Sequence, residues 1–210
     1  MSTFSIRLDA IGKRFNQEWI FKNINLEINS GDKIAILGYN GSGKSTLLQI
    51  ICGFVTPSQG TIEYNINGKN IPVEDVYQHL SFASPYLELI EDFSLREMFD
   101  FFVSIKPLQN NISVEEFISI STLEKIEDKP IRVFSSGMKQ RLKLTLAFLS
   151  DVEFIFLDEP LSNLDAQGTI WYKKMVEMYA KEKTIFVCSN NIQDEIAFCT
   201  KQISIVDYKM

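Results

Sequence analysis

Apolar and polar positions follow two rhythms along this chain. From Phe4 to Glu63 short runs rich in β-branched residues alternate with turns, FSIRL, NINLEI, KIAIL and the start of GTIEYNI, and Gly12, Gly31, Gly60 and, just beyond, Gly68 punctuate them. That pattern predicts strands separated by turns. Helical spacing takes over in SLREMFDFFVSI (94–105) and SVEEFISISTLEKI (113–126), where Ser94 and Ser113 stand as N-caps. Alternation then returns: RLKLTLAFLSD predicts a helix, VEFIFLDEP a buried strand, GTIWYKKMVEMYAKE a helix and TIFVCSN a strand, followed by IQDEIAFC and KQISIVDY. Helices alternating with apolar strands predict a parallel α/β sheet, with residues 86–128 as an inserted helical arm. Trp171, Tyr172, Met175, Met178 and Tyr179 recur at helical spacing and predict a packed face.

At 210 residues the natural expectation is one domain with an inserted subdomain. No apolar run approaches the ~18–20 residues of a membrane span, and residues 1–10 lack a signal-peptide core, so a soluble cytoplasmic chain is expected. Net charge is −6 and the pI about 5.0, which argues against nucleic acid as a partner. The arm is more acidic still, with ten acidic residues against three basic ones over residues 86–128. Cys52, Cys188 and Cys199 lack metal-like spacing and read as small buried apolar residues. His79, the one histidine, reads as an ordinary surface or half-buried side chain.

The stretch LGYNGSGKST (37–46) carries the first chemistry. Gly38, Gly43, Lys44 and Ser45 fall in register with G-x-x-x-x-G-K-[ST], the P-loop. Its glycines, Gly41 included, let successive N–H groups turn inward around phosphate oxygens, so residues Tyr39, Asn40, Ser42 and Thr46 contribute to the same cradle. Lys44 would reach the β/γ-phosphates, Ser45 would offer its hydroxyl to Mg²⁺, and the following helix would point its positive end at the anion. An apolar run before the loop and STLLQIICG after it supply the strand and helix that the motif requires.

FIFLDEP (154–160) carries the second. An apolar run ending in Asp158 and Glu159 places two carboxylates at the C-terminal edge of a buried strand, where open α/β sheets bind ligands. Asp158 would hold Mg²⁺ through water, and Glu159 would polarise a water for attack on the γ-phosphate.

With FSSGMKQRLKL (134–144) between these two motifs, the chain resembles the ATP-binding subunit of an ABC transporter. The family's signature L-S-G-G-Q-x-Q-R falls on residues 134–141, where Ser135, Gly137, Gln140 and Arg141 match while Phe134, Ser136 and Met138 depart. SSGMKQRL resembles the form in the exporter-type branch whose permeases are of the ABC-2 class, and LSNLD (161–165) resembles the D-loop, with Ser162 and Asp165 near a subunit boundary. The aromatic that stacks on adenine falls on Phe15, with Trp19 as second candidate.

The resemblance covers nearly the whole chain and implies a P-loop NTPase, RecA-like core with a mostly parallel sheet, an N-terminal antiparallel β-subdomain and a helical subdomain inserted at about residues 86–140. It implies ATP and Mg²⁺ as cofactors, a membrane permease as partner and a second ATP-binding subunit paired head to tail. In that pairing Ser135, Ser136, Gly137 and Met138 would meet the ATP of the other protomer.

Two positions depart from the family. The residue aligned with its γ-phosphate-contacting histidine is Asn190, whose amide can donate one hydrogen bond but cannot take a proton. The place of its Q-loop glutamine is taken by Pro85, while Gln78 comes too early in register. These departures imply slow or partner-dependent turnover and keep open a rival reading, an ATP-gated clamp that barely hydrolyses. A second rival, a non-transport ATPase acting on DNA or ribosomes, lacks the coiled coils or basic surfaces that such proteins carry.

Overall fold

The two rhythms sort into two sheets in the computed structural model, which describes residues 4–209. Strands β1 (Phe4–Phe15), β2 (Glu18–Asn29), β4 (Gln59–Ile66) and β5 (Lys69–Ile71) form an antiparallel sheet in the order β2-β1-β4-β5. Along β1, alternate residues Phe4, Ile6 and Leu8 are buried, the period expected when one face meets a core. Strands β3 (Lys33–Leu37), β6 (Leu80–Ala83), β7 (Phe154–Asp158), β8 (Thr184–Ser189) and β9 (Lys201–Ser204) form the parallel sheet in the order β6-β7-β8-β3-β9.

Both faces of the parallel sheet are covered, which is why its strands read as continuous apolar runs. Phe154 and Phe156 of β7, Phe186 of β8 and Ile34 and Ile36 of β3 face a core shared with helix α1 (Lys44–Ile51) and the antiparallel sheet. Their alternates Ile155, Leu157, Ile185, Val187 and Ala35 face a second core. That core is shared with α2 (Leu95–Ile105), α3 (Val114–Ser121), α4 (Ser136–Leu149) and α5 (Ala166–Tyr179). A four-residue helix, α6 (Gln193–Ile196), precedes β9.

Helices α2 and α3 lie in the chain between β6 and β7, and each opens with a capping box, Ser94 with Glu97 and Ser113 with Glu116. Helix α3 stops at Ser121, short of the predicted end at residue 126. Thr122 turns left-handed (φ 59) and its N–H bonds back to the carbonyls of Ile118 and Ser119. Several of the arm's acids are occupied within the chain: Arg96 bonds Glu115 at 3.0 Å and Glu127 at 2.8 Å, while Glu116 serves its cap.

Two predicted turns are strand positions instead. Gly12 lies inside β1 and Gly60 inside β4, flanking a register shift between those strands. A Cβ on Gly60 would lie 2.3 Å from the Asp9 carbonyl, so this bulge needs a residue without one. On α5, Trp171, Tyr172 and Met175 are buried, whereas Met178 turns outward at 67% exposure. Cys52 and Cys188 are buried and Cys199 half-buried, and burial pushes the Cys199 thiol up to about 12. His79 sits half-buried 3.1 Å from Glu153. Among the described residues no helix is long and apolar enough to cross a membrane.

Candidate active site

The loop between β3 and α1 has a backbone that only glycine tolerates at its critical points. Gly43 caps α1 at φ 107, and a Cβ there would lie 2.5 Å from Ile20. At Gly38 a Cβ would lie 2.5 Å from the Ser42 hydroxyl oxygen, a buried atom without a hydrogen-bond partner. Lys44 is almost fully buried and its ammonium donates to Gly38 O at 2.9 Å, Tyr39 O at 3.2 Å and Asn190 Oδ1 at 2.7 Å. Tyr39 points outward and accepts a hydrogen bond from Lys209 at 2.7 Å.

Parallel strands β7 and β8 deliver the acids. Asp158 ends β7, 3% exposed, with Oδ1 lacking any hydrogen-bond partner. Burial raises its carboxyl above the usual range, against the opposing hydrogen bond from Ser45. A buried carboxylate oxygen left orphaned beside a serine hydroxyl fits a hard cation that takes few protein oxygens and draws the rest from water and phosphate. Glu159 follows in the left-handed region (φ 45), held there by its N–H bonding to Cys188 O at 3.0 Å. Asn190, just past β8, donates through Nδ2 to Glu159 Oε1 at 3.2 Å. Lys44, Asn190 and Glu159 are thereby one hydrogen-bonded chain.

A cavity of about 410 Å³ opens over this chain, lined by Phe15, Ile20, Asn40, Gly41, Gly43, Lys44, Ser45, Thr46, Tyr86 and Glu159. Phe15 is 53% exposed there. Trp19 is engaged elsewhere, packed against Gly12 and covered by Lys22 and Arg14. Pro85 lies just past β6 at the same edge, whereas Gln78 is exposed in the 3₁₀ turn ahead of that strand. A larger cavity of about 790 Å³, lined by Phe4, Gly31, Val152 and Lys183, lies at the opposite end of the parallel strands, away from every residue above.

The signature residues form a separate place. Ser135 caps α4 by accepting from Met138 N at 3.2 Å, and Ser135, Ser136, Gly137 and Met138 line a cavity of about 360 Å³ with Asn163 and Asp165. Asp165 caps α5, accepting from Gly168 N at 2.7 Å, and Arg141 spans from Thr122 to within 3.6 Å of it. Ser162 N bonds Glu159 O at 3.0 Å, so the segment leaving Glu159 runs directly to this second cavity.

Three contributors were not foreseen from sequence. Tyr86 lines the cavity over Lys44, and its place right after Pro85 was the available signal. Glu195, 1% exposed, accepts from Leu161 N at 3.1 Å, and burial raises its carboxyl. Lys143 is a buried lysine on α4 that donates to Ser84 O and Pro85 O. No local pattern distinguishes Glu195 or Lys143 from surface charges.

Comparison with known proteins supplies the family. Residues 21–162 match the family model described as ABC transporter. The chain is 33% identical over 171 residues to a sulfate/thiosulfate import ATP-binding protein of Pseudomonas putida, covering 78% of this chain and 51% of that one. It is 26% identical over 196 residues to a lantibiotic transport ATP-binding protein of Streptococcus pyogenes, covering 91% and 82%. The chain thus spans about half the length of the import relative. Among solved structures, a putative ABC transporter ATP-binding protein from Pyrococcus furiosus superposes with TM-score 0.81 at 20% identity, covering 98% of this chain and 100% of that one. A bacterial ABC transporter cassette solved as a dimer does so with TM-score 0.77 at 22% identity, covering 95% and 94%. These two likenesses show a shared fold.

Proposed function

The chain belongs to the ABC transporter family, and from that membership we propose that it is the ATP-binding and ATP-hydrolysing subunit that powers substrate movement through a separate membrane permease. The observation that carries this reading is that Lys44, Ser45 and Glu159 line one cavity, with Asn190 bonded to Lys44 and Glu159 and Asp158 bonded to Ser45 beside it, while Ser135, Ser136, Gly137 and Met138 line another that shares no lining residue with it. One chain therefore holds two half-sites. A head-to-tail pair would complete each by setting one protomer's α4 N-terminus against the γ-phosphate held by the other's P-loop.

In this mechanism the P-loop backbone and Lys44 bind the phosphates while Phe15 stacks on the adenine. Ser45 and Asp158 would hold Mg²⁺, which would neutralise charge building on the phosphate oxygens. Glu159 orients and polarises the attacking water. Asn190 donates to phosphate, and Ser162 and Asp165 carry the state of the site to the subunit boundary. Because Asn190 cannot take a proton and Pro85 brings no side-chain carbonyl, turnover by the isolated subunit is slow. Export is the favoured direction, on the Ser136 and Met138 signature variant alone. The subunit would work in the cytoplasm, at the inner face of the membrane through its permease.

Single-turnover hydrolysis of MgATP by the purified chain, beside Glu159→Gln, tests this. Hydrolysis by wild type at least ~10²-fold above the variant supports the ATPase. Equal inertness with ATP-driven pairing retained selects instead the ATP-gated clamp, which the Pro85 and Asn190 departures favour.

A further inference from the structure

The corner after β6 is held in an unusual way. Lys143 on α4 is 7% exposed, and its ammonium donates to Pro85 O at 2.7 Å and Ser84 O at 3.2 Å. One turn earlier on the same helix face, Lys139 pairs with Glu91. Two rungs, four residues apart on α4, therefore grip the two ends of residues 84–91. The corner is also bonded to itself, Tyr86 N to Ser84 Oγ at 3.2 Å and Leu87 N to Ser84 O at 3.2 Å.

What lies at each end of this grip gives it meaning. Tyr86, 84% exposed, lines the nucleotide cavity, and it also lines a groove of about 520 Å³ shared with Pro85, Glu91, Lys139 and Lys143. Ser136 opens α4 about 10 Å along the helix axis from Lys143. Lys143 and Lys139 are the α4 side chains that hydrogen-bond residues 84–91, Lys143 alone reaching the 84–85 end, and position 85 is a proline with neither a polar side chain nor an N–H to offer.

Resting on the reading that the two cavities are half-sites for ATP, we propose that Lys143 is a positioning residue that makes residues 84–91 and α4 one rigid unit. A change at the nucleotide cavity then reaches the Ser135–Gly137 end through the backbone of the corner, not through a side chain at position 85. Burial pulls the Lys143 ammonium below the usual lysine value, with Lys139 adding to the shift, so the residue is held there only because the two carbonyls receive it.

The test uses the full chain as wild type, Lys143→Met, Lys143→Arg and Lys139→Gln. Three quantities are measured: ATP affinity of the monomer, the ATP concentration for half-maximal association of two copies, and hydrogen exchange of residues 84–91. Lys143→Met is expected to leave monomer affinity within about two-fold, speed exchange at residues 84–91, and raise the half-association concentration about ten-fold, the loss of roughly one charged hydrogen-bond pair. Lys143→Arg should restore association, and Lys139→Gln, which keeps the buried rung, should shift it in the same direction by less. Faster exchange at residues 84–91 with association unchanged would overturn the proposal, as would an unaltered Lys139→Gln should Lys143→Met fail to fold. Failure of wild type itself to bind ATP would overturn the underlying half-site reading as well, and shows in the same titration before any variant is compared.

Discussion

Asn190 Oδ1 accepts a hydrogen bond from Lys44 Nζ at 2.7 Å, so the P-loop lysine is tied directly to the residue that follows β8. The same amide donates to Glu159 Oε1 at 3.2 Å. On the proposed mechanism, phosphate binding would exchange the first bond for one to phosphate, and the second would set where Glu159 stands. An amide does both without titrating, so wild-type hydrolysis should lack a limb near pH 6.5. Asn190→His supplies a group able to share a proton and should raise the rate by about ten-fold or more at pH 8. Below roughly pH 6.5 the imidazolium would face the Lys44 ammonium and that gain should vanish. Steady-state rates from pH 5.5 to 9 check this, and a variant as slow and flat as wild type would exclude residue 190 from the reaction.

Asp158 makes a prediction about stability. Its folded-state carboxyl is raised above the ordinary 3.8 because burial penalises the anion. Over the window from 3.8 upward to the raised value the folded chain binds more protons than the unfolded chain, so stability falls as pH rises. At neutral pH the buried anion therefore opposes folding, and Asp158→Asn should raise the melting temperature of the metal-free chain while abolishing the extra stabilisation by MgATP. Melting in a chelator and in saturating MgATP at pH 7 reads both. A lower melting temperature in the chelator would show that the Ser45 hydrogen bond and the nearby Lys44 charge outweigh the burial penalty on the anion.

How far the site could be read from sequence follows from where each signal is stored. P-loop chemistry is local: glycine, lysine and serine sit within a few residues, and the geometry at Gly43 and Gly38 requires what the motif already states. The parallel sheet was legible because covering both faces leaves unbroken apolar runs in β7 and β8. The bulge at Gly12 and Gly60 was not, because those glycines are required by an approach between strands far apart in sequence. Lys143 and Glu195 belong to the same class: each is a charged residue made structural by a partner that only the fold brings near.

Phe15 and Trp19 separate a binding role from a packing role. Phe15 is exposed in the cavity over the P-loop, whereas Trp19 packs against Gly12 beneath Arg14 and Lys22, the latter 4.0 Å from its ring. Phe15→Ala should weaken ATP binding about three- to ten-fold with little effect on folding, the range of an aromatic stack. Trp19→Ala should lower the melting temperature and leave ATP affinity within about two-fold. Calorimetric titration and thermal melting of both variants decide the matter, and the reverse pattern would move the adenine to Trp19.

Gly137 tests the second cavity apart from the first. A Cβ there would lie 2.8 Å from the carbonyl oxygen of Asn163, so Gly137→Ala must push the signature end of α4 away from the loop that runs from Glu159 to Asp165. Helix propensity alone works in the other direction, since alanine favours a helix over glycine by about 1 kcal/mol. Any loss must therefore come from the contact. Because the two cavities share no lining residue, ATP affinity of the monomer should stay within about two-fold. ATP-driven association, and hydrolysis that depends on it, should fall on the order of 10²-fold, as when a donor is displaced from a charged transition state. Sedimentation with MgATP in the Glu159→Gln background measures association without turnover. An undiminished dimer would mean that this helix end does not meet the second nucleotide.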